Sequence, residues 1–101
     1  MEQLENSENK ANDPLNTMHS LRAQLELLEW PNVYLFKFIV PNESEQIAQV
    51  TALFNQSSEV VMHPSKTGKY MSFSVKELML DADSIMQIYE KATQIKGIIS
   101  L

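Results

Sequence analysis

Residues 33–40, Val-Tyr-Leu-Phe-Lys-Phe-Ile-Val, form a run of β-branched and aromatic residues between Pro31 and Pro41. A run of this kind, bounded by prolines, predicts a β-strand. A strand sends alternate side chains to opposite faces of its sheet. We expect the face that holds the aromatic residues to contact helices and the second face to be open. The first set is Tyr34, Phe36, Phe38 and Val40, and the second is Val33, Leu35, Lys37 and Ile39.

A second long strand is predicted over residues 70–79, because Met71, Phe73 and Val75 alternate there with more polar residues. It follows a turn-forming sequence in which Gly68 can adopt a positive φ angle. Shorter strands are predicted at about 59–63 and 98–101.

The N-terminal part of the chain divides into a tail and a helix. Residues 1–17 are rich in Glu, Asn and Gln, and they are predicted to be a disordered acidic and polar tail. Residues 18–30 are predicted to form an amphipathic helix that ends before Pro31. Its apolar face consists of Met18, Leu21, Leu25 and Leu28.

Two further helices are predicted between the strands. One covers about residues 43–55, with Asn42 as its N-cap and Glu45 completing a capping box. The other begins after the N-cap residue Asp81 and ends at Gly97, which is typical of a helix C-terminus.

The predicted elements therefore run helix and then β-α-β-β-α-β. Two right-handed split β-α-β units of this order give a four-stranded antiparallel sheet with two helices on one face. We predict a ferredoxin-like α+β sandwich over residues 31–101, with the N-terminal helix added to it. The first and third strands are central in this topology, and they are also the longest apolar runs of residues 31–101.

Composition limits the class of protein. The 101 residues are 44% apolar and 21% charged, which is typical of one small globular domain. No apolar run approaches the roughly 20 residues that a membrane helix needs, and the chain has no cysteine. We expect a cytoplasmic protein without disulfides, iron–sulfur clusters or cysteine-based zinc sites.

The formal charge of −5 is concentrated near the N-terminus, where residues 1–30 carry −4 and the remainder carries −1. An acidic chain repels phosphate backbones, so we expect no nucleic-acid partner. The sequence around Tyr70 loosely resembles an RNA-binding strand, but its neighbours on the open face are serines rather than aromatic residues.

Catalytic chemistry has little support in the sequence. Neither His19 nor His63 has a second ligand at the spacing of a zinc site. The paired carboxylates Asp81 and Asp83 are explained by the positive end of a helix. No serine, histidine and acid cluster as a nucleophilic triad would, so we expect no enzyme, no metal and no cofactor.

The open face of the sheet is predicted to be too apolar to remain in water, since Val33, Leu35, Ile39 and Tyr70 lie on it. The N-terminal helix is the first candidate to cover it, and a second copy of the protein is the next.

Several motifs resemble a known family. Residues 65–72 read Ser-Lys-Thr-Gly-Lys-Tyr-Met-Ser, an Ile88-Tyr89 pair follows, and residues 97–101 read Gly-Ile-Ile-Ser-Leu. With Trp30-Pro31 before the first strand, these features resemble the YbeD-like family of uncharacterised bacterial proteins over about residues 30–101. The resemblance implies a ferredoxin-like domain similar to the ACT regulatory domains, and it implies no catalytic residue.

A small-molecule sensor for an amino acid or metabolite is therefore an alternative function. ACT domains usually carry glycine in the loop after the first strand, where backbone amides approach the ligand. The corresponding loop here, residues 40–44, has no glycine.

We predict a non-catalytic domain that acts by binding, as a regulatory or protein-interaction module. Its partner is a second copy or another protein, bound through the open face. RNA binding is the least favoured alternative. The candidate site residues are Lys66, Lys69 and Tyr70 in the hairpin and Leu35, Lys37 and Ser72 on the open face.

Overall fold

The computed structural model describes residues 14–55 and 58–101. Within these ranges the strands lie within about a residue of their predicted positions, except that the last is shorter. The second and third helices end earlier than predicted, because their final residues continue as turns. The elements are α1 (Pro14–Glu26), β1 (Asn32–Pro41), α2 (Ser44–Thr51), β2 (Glu59–Pro64), β3 (Tyr70–Met79), α3 (Ala82–Ala92) and β4 (Ile99–Ser100).

The four strands form one antiparallel sheet in the order β2-β3-β1-β4. Strands β1 and β3 have 10 residues each and pair along their whole length, from Asn32 opposite Met79 to Pro41 opposite Tyr70. The predicted ferredoxin-like α+β sandwich is confirmed, and β1 and β3 are its central strands.

The aromatic side of β1 forms the centre of the core, as predicted. Phe36 and Phe38 are fully buried between the sheet and the helices, and they lie opposite the buried Val75 and Phe73 of β3. Burying one such side chain contributes about 1.5–3 kcal/mol to folding. The pairing of the two central strands therefore also assembles the core.

Two tyrosines close the core towards the N-terminal helix. The hydroxyl oxygens of Tyr34 and Tyr89 are 3.1 Å apart and form a hydrogen bond. Burial raises the pKa of the Tyr89 phenol, and the hydrogen bond with Tyr34 raises it further. The phenol of Tyr89 is therefore neutral under ordinary conditions and acts as a structural group.

Helix α1 joins the helix layer and packs beside α3. Its Leu25 is buried in the core, and Arg22 forms an ion pair with Asp83 at the start of α3. The indole nitrogen of Trp30 donates to the carbonyl oxygen of Leu25 at 3.0 Å, which holds the turn that leads into β1. The expectation that this helix covers the open face is wrong, because its apolar side chains complete the core on the opposite side of the sheet.

The bounds of α1 differ from the prediction at both ends. The described part of the helix starts at Pro14, ahead of the predicted start at residue 18. Residues 14–17 therefore belong to the helix rather than to the predicted tail, and residues 1–13 lie outside the described residues. The helix ends at Glu26, so Leu28, predicted on its apolar face, is 47% exposed.

Of the three predicted helix caps one is present, since α3 ends at Ala92 with Thr93 as its C-cap and Gly97 does not cap it. The carboxylate of Asp81 accepts a hydrogen bond from the Ser84 backbone N–H at 2.7 Å and caps α3. Asn42 does not cap α2, whose N-cap position is Glu43 without a side-chain hydrogen bond. The Asn42 side chain donates instead to the carbonyl oxygen of Gly68 at 2.9 Å. A tertiary contact thus replaces the local capping box.

Gly97 occupies a position that admits no side chain. Its φ angle is +78°, and a Cβ atom there would lie 2.9 Å from Cγ of Pro41. We expect Gly97→Ala to lower the free energy of unfolding by more than 2 kcal/mol, because left-handed strain of about 1–2 kcal/mol is added to a clash. Gly68→Ala is the matched control, since Gly68 has φ +74° and open space around it. Urea denaturation measures both, and equal losses would contradict the close approach to Pro41.

The Asp81 cap makes stability depend on pH. Its hydrogen bond with the Ser84 backbone N–H lowers the pKa of the Asp81 carboxyl below that of an unfolded chain. The stabilisation is present above the unfolded pKa and is lost as pH falls through the folded pKa. We expect Asp81→Ala to lower the melting temperature at pH 7. At pH 2–3 we expect the difference in melting temperature between the variant and the wild type to be smaller. A difference in melting temperature that does not change with pH would contradict an ionised Asp81 cap.

Candidate functional site

The face of the sheet opposite the helices is uncovered by any described element, and we call it the open face. The strand register places the following residues on it: Val33, Leu35, Lys37 and Ile39 of β1; Tyr70, Ser72, Ser74, Lys76 and Leu78 of β3; Glu59, Val61 and His63 of β2; and Ile99 of β4. Val33, Val61 and Leu78 are each about 60% exposed. The predicted division of β1 into a core face and an open face is confirmed.

The register arranges these residues in rows that cross the sheet. One row contains Ile99, Ile39, Ser72 and His63, one residue from each strand. The next row towards the other end of β1 contains Lys37, Ser74 and Val61. Residues from all four strands thus share one surface.

The four-strand row forms the floor of a groove of about 380 Å³. Ile39 and Ile99 lie at one side, and Tyr70 and Pro64 close the groove at the hairpin end. The hydroxyl of Ser72 donates to the His63 carbonyl oxygen at 3.0 Å, so its proton is already used. The groove therefore offers mainly apolar contact, with the His63, Ser65 and Tyr70 side chains as its further polar groups.

The hairpin end of the groove is held by backbone hydrogen bonds. The Ser65 N–H donates to the Tyr70 carbonyl oxygen at 2.9 Å, and the Gly68 N–H donates to the Ser65 carbonyl oxygen at 2.9 Å. The backbone N–H of Asn42 also donates to the Lys69 carbonyl oxygen at 2.9 Å. This second contact of Asn42 fastens the hairpin to the loop between β1 and α2, so the groove has a fixed wall.

The six predicted site residues are not all brought together. Tyr70 and Ser72 line the groove. Lys37 and Leu35 lie on the open face one and two rows away from it. Lys66 and Lys69 are exposed in the hairpin turn and do not line the groove.

The prediction omitted five groove residues from the site, namely Ile39, His63, Pro64, Ser65 and Ile99. Ile39 had been placed on the open face, but His63 and Ile99 were not assigned to it. Their position depends on the pairing of β2 with β3 and of β4 with β1, and neither register follows from a single strand. Two sequence signals could have indicated these positions: the alternation within residues 59–63 for His63, and the apolar residues of 98–101 for Ile99.

The charges on the open face are mixed. Lys76 lies opposite Glu59 on one side and Leu35 on the other, while Lys37 lies beside Ser74. Across residues 14–55 and 58–101, no three His, Cys, Asp or Glu side chains are placed to hold a metal ion. No helix in the described part of the chain has the length and apolarity needed to cross a membrane.

Comparison with known proteins supports the fold and identifies a family. The chain is similar to the uncharacterized protein TM1266 from Thermotoga maritima, with 22% sequence identity and a TM-score of 0.59. The similarity covers 69% of this chain and 91% of the Thermotoga protein, and it shows a shared fold. None of the curated proteins matches the chain. Residues 25–101 match the family described as "Protein of unknown function (DUF493)". The chain therefore belongs to this family, and its resemblance to the YbeD-like proteins is confirmed.

Proposed function

We propose that this protein is a non-catalytic module that binds another protein through its open face. The observation that carries the proposal is the position of helix α1. The helix packs beside α3, and the apolar residues of the open face are left exposed. A grouped apolar surface of this kind is typical of a site that another molecule covers.

The composition of the face favours a protein partner. Val33, Val61 and Leu78 provide apolar contact, and Lys37 and Lys76 provide charge among them. Interfaces between proteins commonly combine an apolar centre with polar groups around it. With Ile99, which is also exposed, the apolar residues of the face lie on all four strands, so a partner would contact most of the width of the sheet.

RNA fits this face less well. RNA-binding sheets stack bases on two or three aromatic side chains, whereas Tyr70 is the one aromatic residue of the open face within the described ranges. The net charge of −5 also opposes contact with a phosphate backbone.

A small-molecule sensor is a second candidate, favoured by the groove beside Tyr70. Its volume of about 380 Å³ falls within the range of ligand pockets. Backbone amides after β1 are already used, since Asn42 donates to Lys69 and Glu43 donates to Pro41. A ligand would therefore bind in the apolar groove rather than at the loop that ACT domains use.

The protein-partner proposal predicts a cross-linking pattern in cells. A photo-reactive amino acid at Val61, 62% exposed on the open face, should cross-link one specific protein. The control position is Leu27, which is 86% exposed in the turn after α1 and should not cross-link that protein. The same cross-links from both positions, or none from Val61, would count against the open face.

The purified pair then tests the energetics of the contact. We expect Val61→Gln to weaken binding about tenfold, which corresponds to about 1.4 kcal/mol, and Leu27→Gln to leave it unchanged. If sedimentation instead shows a dimer that Val61→Gln dissociates, the open face binds a second copy and not another protein.

The sensor hypothesis predicts thermal stabilisation by a ligand. A compound present at 100 times its Kd should stabilise the fold by about 2.7 kcal/mol. Tyr70→Ala should remove that shift, because Tyr70 closes the groove. A melting temperature that does not change across amino acids and acyl compounds would exclude those ligand classes.

A further inference from the structure

Strand β1 is paired unequally on its two sides. On the β3 side all 10 of its residues have partners. On the other side β4 pairs with it at Phe38 and Ile39, and the Leu101 N–H donates to the Lys37 carbonyl oxygen at 2.9 Å. Among the residues that the structure describes, none pairs with the part of this edge that runs from Asn32 to Phe36.

Val33 and Leu35 direct their backbone groups towards that unpaired edge, as the directions of two neighbouring backbone groups show. The carbonyl of Lys37 points to β4, whereas the N–H of Asn42 points to the β3 side. Backbone groups alternate in direction along a strand with a period of two. The N–H and C=O groups of Val33 and Leu35 therefore point outwards, where a further strand would accept and donate hydrogen bonds.

An apolar slot lies beside the same edge. The slot has a volume of about 450 Å³ and is bounded by Met18 and Leu21 of α1, Tyr34 of β1 and Leu101 after β4. Ser100, which lies opposite Phe38, also lines it. Helix α1 thus forms a wall of the space that a longer β4 would face.

We propose that this edge of β1 binds an extended peptide segment of a partner protein, which adds a strand in line with β4. The partner supplies hydrogen bonds to Val33 and Leu35 and side chains to the slot. This site is distinct from the open face, so its existence does not depend on the proposed function. Strand addition of this kind combines backbone hydrogen bonds with pockets for alternate side chains.

The surroundings of the edge define the peptide. Its residues opposite Tyr34 and Phe36 would face the helices. The one opposite Tyr34 would enter the slot, where Met18, Leu21 and Leu101 favour an apolar side chain. Its residue opposite Leu35 would lie on the open face, diagonal to Lys37. Opposite charges at such cross-strand positions are favourable. The peptide is therefore expected to alternate apolar and acidic residues.

Other occupants fit less well. A second copy pairing through β1 would offer no acidic side chain to Lys37, because residues 32–41 contain neither Asp nor Glu. Residues 1–13 contain no β-branched or aromatic residue, so they are poor strand formers. The outer edge of β2 lacks comparable walls, because all of its residues are exposed.

A synthetic peptide tests the proposal directly. The probe is a blocked peptide of roughly six residues that alternates valine and glutamate, long enough to span the unpaired edge. The control peptide alternates valine and lysine. We expect the acidic peptide to bind about tenfold more tightly than the control and to slow amide hydrogen exchange at Val33 and Leu35 by at least about tenfold.

Alternative occupants give different exchange patterns. Protection at Val60 and Met62 of β2 in place of β1, or no binding, would overturn the proposal. Slow exchange at Val33 and Leu35 in the free chain would assign the edge to residues 1–13. Slow exchange that increases with protein concentration would assign it to a second copy. Either of the last two results also overturns the proposal.

Two substitutions at Leu35 distinguish the contribution of its backbone N–H to peptide binding from that of its side chain. Leu35→Pro removes an outward N–H that the described chain does not use, and proline is tolerated at such strand edges. We expect it to weaken peptide binding at least about tenfold, whereas Leu35→Ala keeps the N–H and most of the affinity. Equal affinity for both variants would exclude strand addition. If Leu35→Pro does not fold, amide exchange in the wild-type chain decides the question.

Discussion

The uninterrupted pairing of β1 with β3 is the constraint on which the rest of this structure depends. Ten residues of each strand are opposed in a single register. Since side chains alternate, this register sends Phe36 and Phe38 into the core and Leu35 and Lys37 to the open face. A shift of one residue would exchange the two faces, so the core and the candidate site are set by the same pairing.

The helix layer then determines which surfaces are accessible. Helix α1 adds Leu25 to the core and pairs Arg22 with Asp83, which keeps it on the side of α3. Two consequences follow from that position. No described element covers the open face, and Met18 and Leu21 form an apolar wall of the slot beside β1. The two proposed binding surfaces thus depend on where one helix packs.

Part of the candidate site could be predicted because it lies on the two long strands. Alternation within β1 and β3 placed Leu35, Lys37, Tyr70 and Ser72 on one face, and the structure agrees. The lysines of the hairpin were grouped with these residues by their proximity in sequence, but they do not line the groove. His63 and Ile99 were missed because their strands are short, and only pairing with neighbours positions them.

The sequence by itself determined the fold class, the central strands, the face that is buried and the Asp81 cap. Each of these depends on local propensity or on a period of two or four residues, which a single segment contains. The tertiary structure decided where α1 packs and how much of β1 the last strand covers. It also decided that Asn42 contacts the hairpin instead of capping α2. These features depend on competition between contacts distant in sequence, and the contact that buries more apolar surface or satisfies more hydrogen bonds prevails.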